Sequence, residues 1–236
     1  MRNRIVMLKH ETAPFNDRAG DELERRGYKI DWRTPFDDGK PLGNISDDVA
    51  GTLIYGGPYC ITDVPHMAFM QDELRWIENC MKANVPLLGF CQGAQMIAHI
   101  LGAAVGPGTN GQYEFGYYPL SPTKQGQGFI PEGLYVTQAH FHTFDIPTGA
   151  THLARSALYE NQAFSYGTSI FGFQFHAEIT PAGFARWQDE HWGDNYFGKP
   201  GAQTRDEQDQ LSVLHDAAQD KWFREFIASV FPIAEG

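Results

Sequence analysis

Apolar and polar positions follow two rhythms along the first hundred residues. Short apolar or alternating runs at residues 5–8, 28–33, 52–55 and 85–90 predict strands; in the second, Tyr, Ile and Trp alternate with Lys, Asp and Arg. Between these runs the rhythm is helical. Asn16 or Asp17 is placed to cap a helix that runs to Arg26 and stops at Gly27. Met67, Met70, Leu74, Ile77 and Met81 recur at three- and four-residue spacing, which predicts one core-facing helical stripe. A further helix is predicted from Cys91 to about Leu101. Strands alternating with helices imply right-handed βαβ units and a parallel sheet covered on both faces.

Between residues 102 and 169 the texture changes to short extended stretches separated by Gly and Pro. Residues 115–120, 134–137, 151–156 and 163–166 read as strands of a mixed or antiparallel part, with a turn-rich loop at 121–128. An apolar run at 170–175 predicts a further strand. Beyond it, a helix is predicted over 181–191, a Gly/Pro/Asn-rich linker over 193–201, and a long helix over 206–230. The face made by Leu211, Leu214, Ala218, Trp222, Phe226 and Val230 is expected to dock that helix on the sheet.

Candidate chemistry sits where strands end. In Gly89-Phe90-Cys91-Gln92-Gly93 a cysteine stands between two glycines as a strand hands over to a helix. Glycines lack the Cβ atoms that would collide in so sharp a turn. Strand, G-x-C-x-G, helix is thus a nucleophile elbow with sulfur in place of serine oxygen. The helix N-terminus below Cys91 brings positive partial charge and free N–H groups, which favour thiolate over thiol. A thiolate nucleophile needs a base, and the base needs an orienting group. His176 and Glu178 stand two apart at the end of the strand predicted over 170–175, where both can face one side. Gly56-Gly57-Pro58 also follows directly on a strand. Ligands of open α/β sheets lie beyond the carboxyl ends of the strands, so topology brings the three segments to one edge. A buried structural cysteine and a surface histidine are the plainer readings of the same residues. A metal hydrolase using His140, His142, His176 and Glu178 is another, because His-x-His spacing puts two ligands on one strand face. Nothing else in the chain has ligand spacing, so no metal and no cofactor is expected.

Bulk properties narrow the picture. The 236 residues suffice for one α/β domain with a sizeable core. A net charge of −11 argues against a nucleic-acid partner, whose binding rests on Lys and Arg. No apolar stretch approaches the ~20 residues of a membrane helix, and the N-terminal run is too short for a signal peptide. Three cysteines, Cys60, Cys80 and Cys91, make no disulfide framework and suit a reducing cytosol, so a cytoplasmic protein is expected. Cys80 is expected to pack, and Cys60 to be a bystander near the Gly56-Gly57-Pro58 loop.

The elbow Gly89-Phe90-Cys91-Gln92-Gly93-Ala94-Gln95, the segment Tyr55-Gly56-Gly57-Pro58 and the run Gln174-Phe175-His176-Ala177-Glu178, in that order, resemble the class I glutamine amidotransferase family. From about residue 5 to 231 the chain is similar to the family's stand-alone, GMP-synthase-like members. The resemblance implies a single three-layer flavodoxin-like α/β domain over residues 1–236, with a mostly parallel central sheet and a small antiparallel extension. It implies that Cys91 attacks the γ-carboxamide of glutamine to give a γ-glutamyl thioester and ammonia. His176 would be general base and acid, Glu178 its orienting carboxylate, and the backbone N–H groups of Gly57 and Gln92 the oxyanion hole. Gln95, with Gly56 and the segment His140-Phe141-His142, would contact the substrate.

Two departures stand out. The family usually has His-Pro-Glu where this chain has His176-Ala177-Glu178, a change expected to leave the triad intact. Stand-alone relatives usually read His-Gly-Asp-Thr-Phe where this chain has His140-Phe141-His142-Thr143-Phe144, which alters shape and charge beside the glutamine pocket. The expected substrate is therefore a small γ-glutamyl molecule. Free glutamine would require a separate ammonia-accepting synthetase subunit. Another γ-glutamyl compound would make the protein resemble γ-glutamyl peptidases, which need no partner. A binding or regulatory protein that has lost turnover is the alternative outside enzymes.

Overall fold

The computed structural model describes residues 2–11, 17–109 and 111–234. Its first half delivers the expected alternation: β1 (Arg4–Leu8), α1 (Arg18–Arg25), β2 (Lys29–Arg33), a short α2 (Pro35–Asp38) and β3 (Val49–Ile54). A 3-10 turn (Ile61–His66) leads into α3 (Ala68–Lys82), followed by β4 (Leu87–Phe90) and α4 (Gln92–Ile100). Asp17 caps α1 by accepting from the Gly20 N–H at 2.8 Å; the other cap candidate, Asn16, lies outside the described residues. The second half runs β5 (Val105–Pro107), β6 (Glu114–Pro122), β7 (Leu134–His140), β8 (His142–Phe144), β9 (Thr151–Arg155), β10 (Ala163–Tyr166) and β11 (Ile170–Phe173). Helices α5 (Pro181–Asp189), α6 (His191–Tyr196) and α7 (Arg205–Val230) follow.

Nine strands form one sheet in the order β2-β1-β3-β4-β11-β10-β9-β6-β7. The pairings from β2 through β11 are parallel, and those from β11 to β7 antiparallel. Strands β5 and β8 make a separate two-stranded antiparallel sheet. The layers follow from the two-residue period of a strand. Ile5 and Met7 face the cluster under α1 and α7, with Leu23, Phe223 and Ile227. Val6 and Leu8 face the cluster under α3 and α4, with Trp76, Ile77, Met96 and Ile97. A third cluster, Phe115, Tyr117, Phe184, Trp187 and Tyr196, lies beneath α5 and α6.

Three expectations are corrected. Residues 193–201 are not simply a linker: α6 takes up the first part, because Tyr196 anchors it among Tyr113 and Phe115. The strand expected over 134–137 runs on to His140, and after a break at Phe141 the chain forms β8, a strand that was not expected. The buried face of α7 is Gln208, Gln219, Trp222, Phe223, Phe226 and Ile227, while Leu214 is 72% exposed. The first half of α7 meets a sheet edge whose backbone needs hydrogen-bond partners, and glutamines supply them. Gln219 Oε1 accepts from the Thr137 N–H at 2.6 Å, and Gln208 Nε2 donates to the Phe115 carbonyl at 2.8 Å.

Helix α4 presses close against the sheet at Gly93. A Cβ there would lie 2.1 Å from the backbone oxygen of Ile54, which no side-chain rotation relieves. Gly93→Ala is expected to cost about 1–3 kcal/mol as overpacking, lowering Tm by roughly 3–10 °C. Gly106→Ala, where a Cβ meets nothing within 4 Å, is expected to leave the thermal melt in place.

Candidate active site

Strand β4 ends at Phe90 and α4 begins at Gln92, which leaves a single residue, Cys91, to make the turn. Its backbone sits at φ 49° and ψ −108°; among the described non-glycine residues only Asn84 shares a positive φ. Such a conformation costs on the order of 1–3 kcal/mol and persists only where the surroundings impose it. Here they do. The Cys91 N–H donates to the Phe173 carbonyl at 2.8 Å, and a Cβ on Gly89 would meet the Ala94 nitrogen and Gly93 carbonyl at 2.6 Å. The thiol is thereby held at the floor of a cleft, with Cys91 only 8% exposed.

His176 faces it. β11 ends at Phe173, two residues earlier than the apolar run suggested, so His176, Ala177 and Glu178 lie in a turn and not on a strand end. The two side chains still meet: His176 Nδ1 and Glu178 Oε1 are 2.7 Å apart, and both residues are buried. Trp187 packs edge-on against the imidazole with ring centroids 4.8 Å apart. Burial pulls the His176 pKa down, but the Glu178 carboxylate and a hydrogen bond to Cys91 outweigh it and push it up to about 10. The ring is therefore an imidazolium at neutral pH, the form that donates a proton.

Arg18 fixes the turn that carries this pair. Its side chain is 2% exposed, with Nη1 donating to the Ala177 carbonyl at 3.2 Å and Nη2 to both oxygens of Asp216 on α7 at 2.6 Å. Its Nε pairs with Asp220 at 2.9 Å, and its backbone N–H donates to the Glu178 carbonyl at 3.0 Å.

The Gly56-Gly57 segment lies against both Cys91 and His176. A Cβ on Gly56 would stand 2.7 Å from the His176 ring and 3.2 Å from the Cys91 Cβ; one on Gly57 would stand 2.5 Å from the His10 Cβ. His10 Nδ1 donates to the Gly56 carbonyl at 3.2 Å, and Glu73 accepts from Nε2 at 2.9 Å. Both bonds require the imidazolium, and the His10 pKa is indeed raised: burial opposes the charge, and Glu73 overcomes it. Carbonyl and N–H of one trans peptide point in opposite directions. Holding the Gly56 carbonyl toward His10 thus turns the Gly57 N–H away from it. Gln92 Oε1 accepts from the Tyr59 N–H at 3.1 Å and secures the far side of the same loop.

Two cavities meet at Cys91. One, of about 380 Å³, is lined by Gly57, Cys60, Gln92, Gln95, Phe141 and His142, with His140 and Tyr196. The other, of about 620 Å³ with its mouth, opens past His176 and Glu178 toward Lys9, Glu11, Asp17 and Arg186. In the first, Gln95 Nε2 donates to Gln174 Oε1 at 3.1 Å. Both ring nitrogens of His140 are engaged inside the protein, Nε2 with Glu114 Oε2 and Nδ1 with the His142 carbonyl, each at 2.9 Å. His140 therefore holds the wall and does not offer a free nitrogen to a ligand. Phe141 stacks on Tyr113 with centroids 5.0 Å apart. His142 is half-buried; burial lowers its pKa, so it presents a neutral imidazole, 3.9 Å from the Cys60 thiol. Burial raises the Cys60 pKa and pushes that of Cys80 up to about 12, which keeps both as thiols. Among the described residues no cluster of three or more His, Cys, Asp or Glu is placed to hold a metal ion.

Lys9, His10, Glu11, Glu73 and Arg186 were not singled out from the sequence, and Asp17 only as a helix cap. The signal for the first three was their position at the carboxyl end of a parallel strand, where ligands of such sheets collect. Glu73 and Arg186 sit inside helices and carried none.

A doubly covered α/β sheet with a strained cysteine elbow, a carboxylate-held histidine and a glycine loop above them defines a class of cysteine-nucleophile proteins. Residues 18–186, well over half of the chain, match the family model described as glutamine amidotransferase class-I, and the chain belongs to that family. It is 32% identical over 189 residues to the glutamine amidotransferase-like protein YfeJ of Salmonella typhimurium, covering 75% of this chain and 76% of that one. It is 29% identical over 145 residues to a glutamine-hydrolyzing GMP synthase of Porphyromonas gingivalis, covering 59% of this chain and 27% of that longer protein. The crystal structure of a glutamine amidotransferase from Thermotoga maritima superposes with a TM-score of 0.84 at 24% identity, over 98% of this chain and 99% of that one, a likeness of fold.

Asp17 offers a test of the site's electrostatics. Burial is the main cause that pushes its carboxyl up to about 6, from 3.8. The folded state thus favours the protonated form. The stability this contributes is complete below about pH 3.8 and lost as pH rises through about 6. Asp17→Asn keeps an acceptor for the Gly20 N–H and removes the titration. At about 1.4 kcal/mol per pH unit, the stability of wild type relative to Asp17→Asn is expected to fall by on the order of 3 kcal/mol between pH 3.5 and 7. Urea denaturation of both proteins at several pH values measures the difference.

Proposed function

We propose that the protein hydrolyses the γ-amide of a small γ-glutamyl substrate through a thioester on Cys91, and that the catalytic domain takes in the whole of residues 1–236. The observation that carries this reading is the strained Cys91 facing an imidazolium whose Nδ1 is bonded to Glu178 at 2.7 Å. Cys91 Sγ attacks the γ-carbonyl, and the charge that develops on the carbonyl oxygen is met by the Gly57 and Gln92 backbone N–H groups. As the tetrahedral intermediate collapses, the C–N bond breaks and His176 passes its proton to the leaving nitrogen. His176, now neutral, takes a proton from water as it adds to the thioester. The S–C bond then breaks, releasing glutamate and returning the Cys91 sulfur to its starting form beside the His176 imidazolium. Glu178 holds the ring and stabilises its charged form. Gly56 leaves room for both groups, Gln95 contacts the glutamyl half, and Phe141 and His142 shape its pocket behind His140. No step calls for a metal or cofactor.

Family membership supports amide hydrolysis by cysteine as the general chemistry. Three unpaired cysteines are consistent with the cytoplasm; no described helix is long and apolar enough to cross a membrane, and a net charge of −11 disfavours a nucleic-acid partner. If the substrate is free glutamine, ammonia must reach an acceptor, and a separate synthetase subunit is the partner. A second reading, hydrolysis of a γ-glutamyl compound other than glutamine, is favoured by the neutral imidazole of His142 and the bulk of Phe141, since neither offers an anionic contact to the α-ammonium of glutamine.

Mass spectrometry of the protein incubated with γ-glutamyl compounds is expected to find a glutamyl adduct on Cys91, abolished in Cys91→Ser. A protein that binds these compounds with no adduct and no turnover would instead be a silent binding protein. His176→Ala is expected to lower kcat by several orders of magnitude, and Glu178→Gln by less, because an amide still holds the ring but cannot stabilise its charge. Equal and negligible losses in steady-state kinetics would remove both residues from the mechanism.

The double variant Phe141→Gly with His142→Asp tests the specificity argument. Its kcat/KM on glutamine is expected to rise about tenfold, which is about 1.4 kcal/mol, modest for a regained charged contact. Unchanged kinetics in a variant that melts like wild type would return glutamine to first place among substrates.

A further inference from the structure

Cys91 lies on the wall shared by two cavities, and the glutamyl half of a substrate fills only one of them. The leaving nitrogen receives its proton from His176, so the departing half must lie on the imidazole's side. That side is the cavity that opens past His176 toward solvent, reaching to Lys9, Glu11, Asp17, Arg186 and Trp187.

Its walls also contain hydrogen-bonding atoms with nothing to bond. Arg186 Nε, a buried donor, and Glu178 Oε2, a buried acceptor on a residue 2% exposed, find no partner among the described residues. Native structures rarely leave such atoms unpaired, because each costs about 1–3 kcal/mol. Lys9, 5% exposed, adds a second cation, 3.4 Å from Glu11. A guanidinium and an ammonium on the walls of one cavity suit a carboxylate. Glu11 and Asp17 meet the opposite charge, such as the amine that is set free.

We propose that this cavity binds the amine half of a γ-glutamyl amide and that this half bears a carboxylate held by Arg186 and Lys9, which makes the substrate class γ-glutamyl amino acids and short γ-glutamyl peptides. The proposal rests on Cys91 as the nucleophile. The thioester forms on Cys91 Sγ as the C–N bond breaks, the His176 proton goes to the departing nitrogen, and the product leaving through this cavity is an amino acid. Water then releases glutamate on the other side.

Binding tests the cavity without turnover. In Cys91→Ala protein, with Cys91→Ser in reserve should the alanine variant not fold, calorimetry compares γ-glutamylglycine with γ-glutamylethylamide. The two share the glutamyl half and differ in the carboxylate. γ-Glutamylglycine is expected to bind at least tenfold more tightly. That ratio is expected to fall toward one in the double variant with Arg186→Gln and to be partly kept with Arg186→Lys, each checked by its thermal melt. Equal affinities for the two compounds, or no binding of γ-glutamylglycine at millimolar concentration, would overturn the proposal. Mass spectrometry of wild type with the same compounds separates the two claims. A tenfold preference in binding with no glutamyl adduct on Cys91 upholds the carboxylate site and overturns the nucleophile. An adduct from both compounds with no preference upholds the nucleophile and overturns the site.

Discussion

One contact sets the geometry of the whole site: helix α4 starts so close to the sheet that a Cβ at Gly93 would sit 2.1 Å from the Ile54 carbonyl oxygen. With the helix pressed there, the chain must turn from β4 into α4 within one residue, and Cys91 absorbs the turn at φ 49°. The same approach brings the end of β3, and so the Gly56-Gly57 peptide, over the thiol. Strand β11 lies on the other side of β4, in parallel register from Ile170 with Leu87 to Phe173 with Phe90. Its exit therefore delivers His176 to the same place. Strain at Cys91 is local, but the packing that imposes it is the packing of the central strands themselves.

Charge is arranged in matching buried pairs on either side of the thiol. His176 with Glu178 addresses the reacting atoms, and His10 with Glu73 addresses the peptide above them. In each pair burial opposes an imidazolium and an adjacent carboxylate restores it. The first holds an imidazolium next to Cys91. The second is a fixed donor that keeps the Gly56 carbonyl turned toward His10. In the proposed reaction such a fixed peptide would need no reorientation.

Strands β1 to β4 and their helices were legible because two-residue and three-to-four-residue periods are strong over those lengths, and Cys91, His176 and Glu178 because each follows a strand in an open parallel sheet. What stayed illegible has physical reasons. Two of the six buried residues of α7 are glutamines, because an edge strand needs hydrogen-bond partners as much as it needs apolar cover, and hydrophobic periodicity does not see them. Tyr196 makes a helix of a stretch whose Gly and Asn content reads as linker. Glu73 is buried in a helix whose spacing looked purely apolar, and its partner, His10, is 63 residues away along the chain. The charged lining of the cavity beside His176 comes from the segment after β1, the cap of α1 and helix α5 together, a juxtaposition that no local pattern records.

Arg18 joins the first helix, the last helix and the turn between His176 and Glu178 in one buried guanidinium. Helix α7 thus does more than close a hydrophobic layer. Its Asp216 and Asp220 anchor the turn that carries His176. A second tie runs beside it: Gln219 holds the Thr137 N–H, and the Thr137 carbonyl accepts from the His176 N–H at 2.8 Å. Helix α7 is thus joined to the imidazole's backbone twice, once through charge and once through the edge strand.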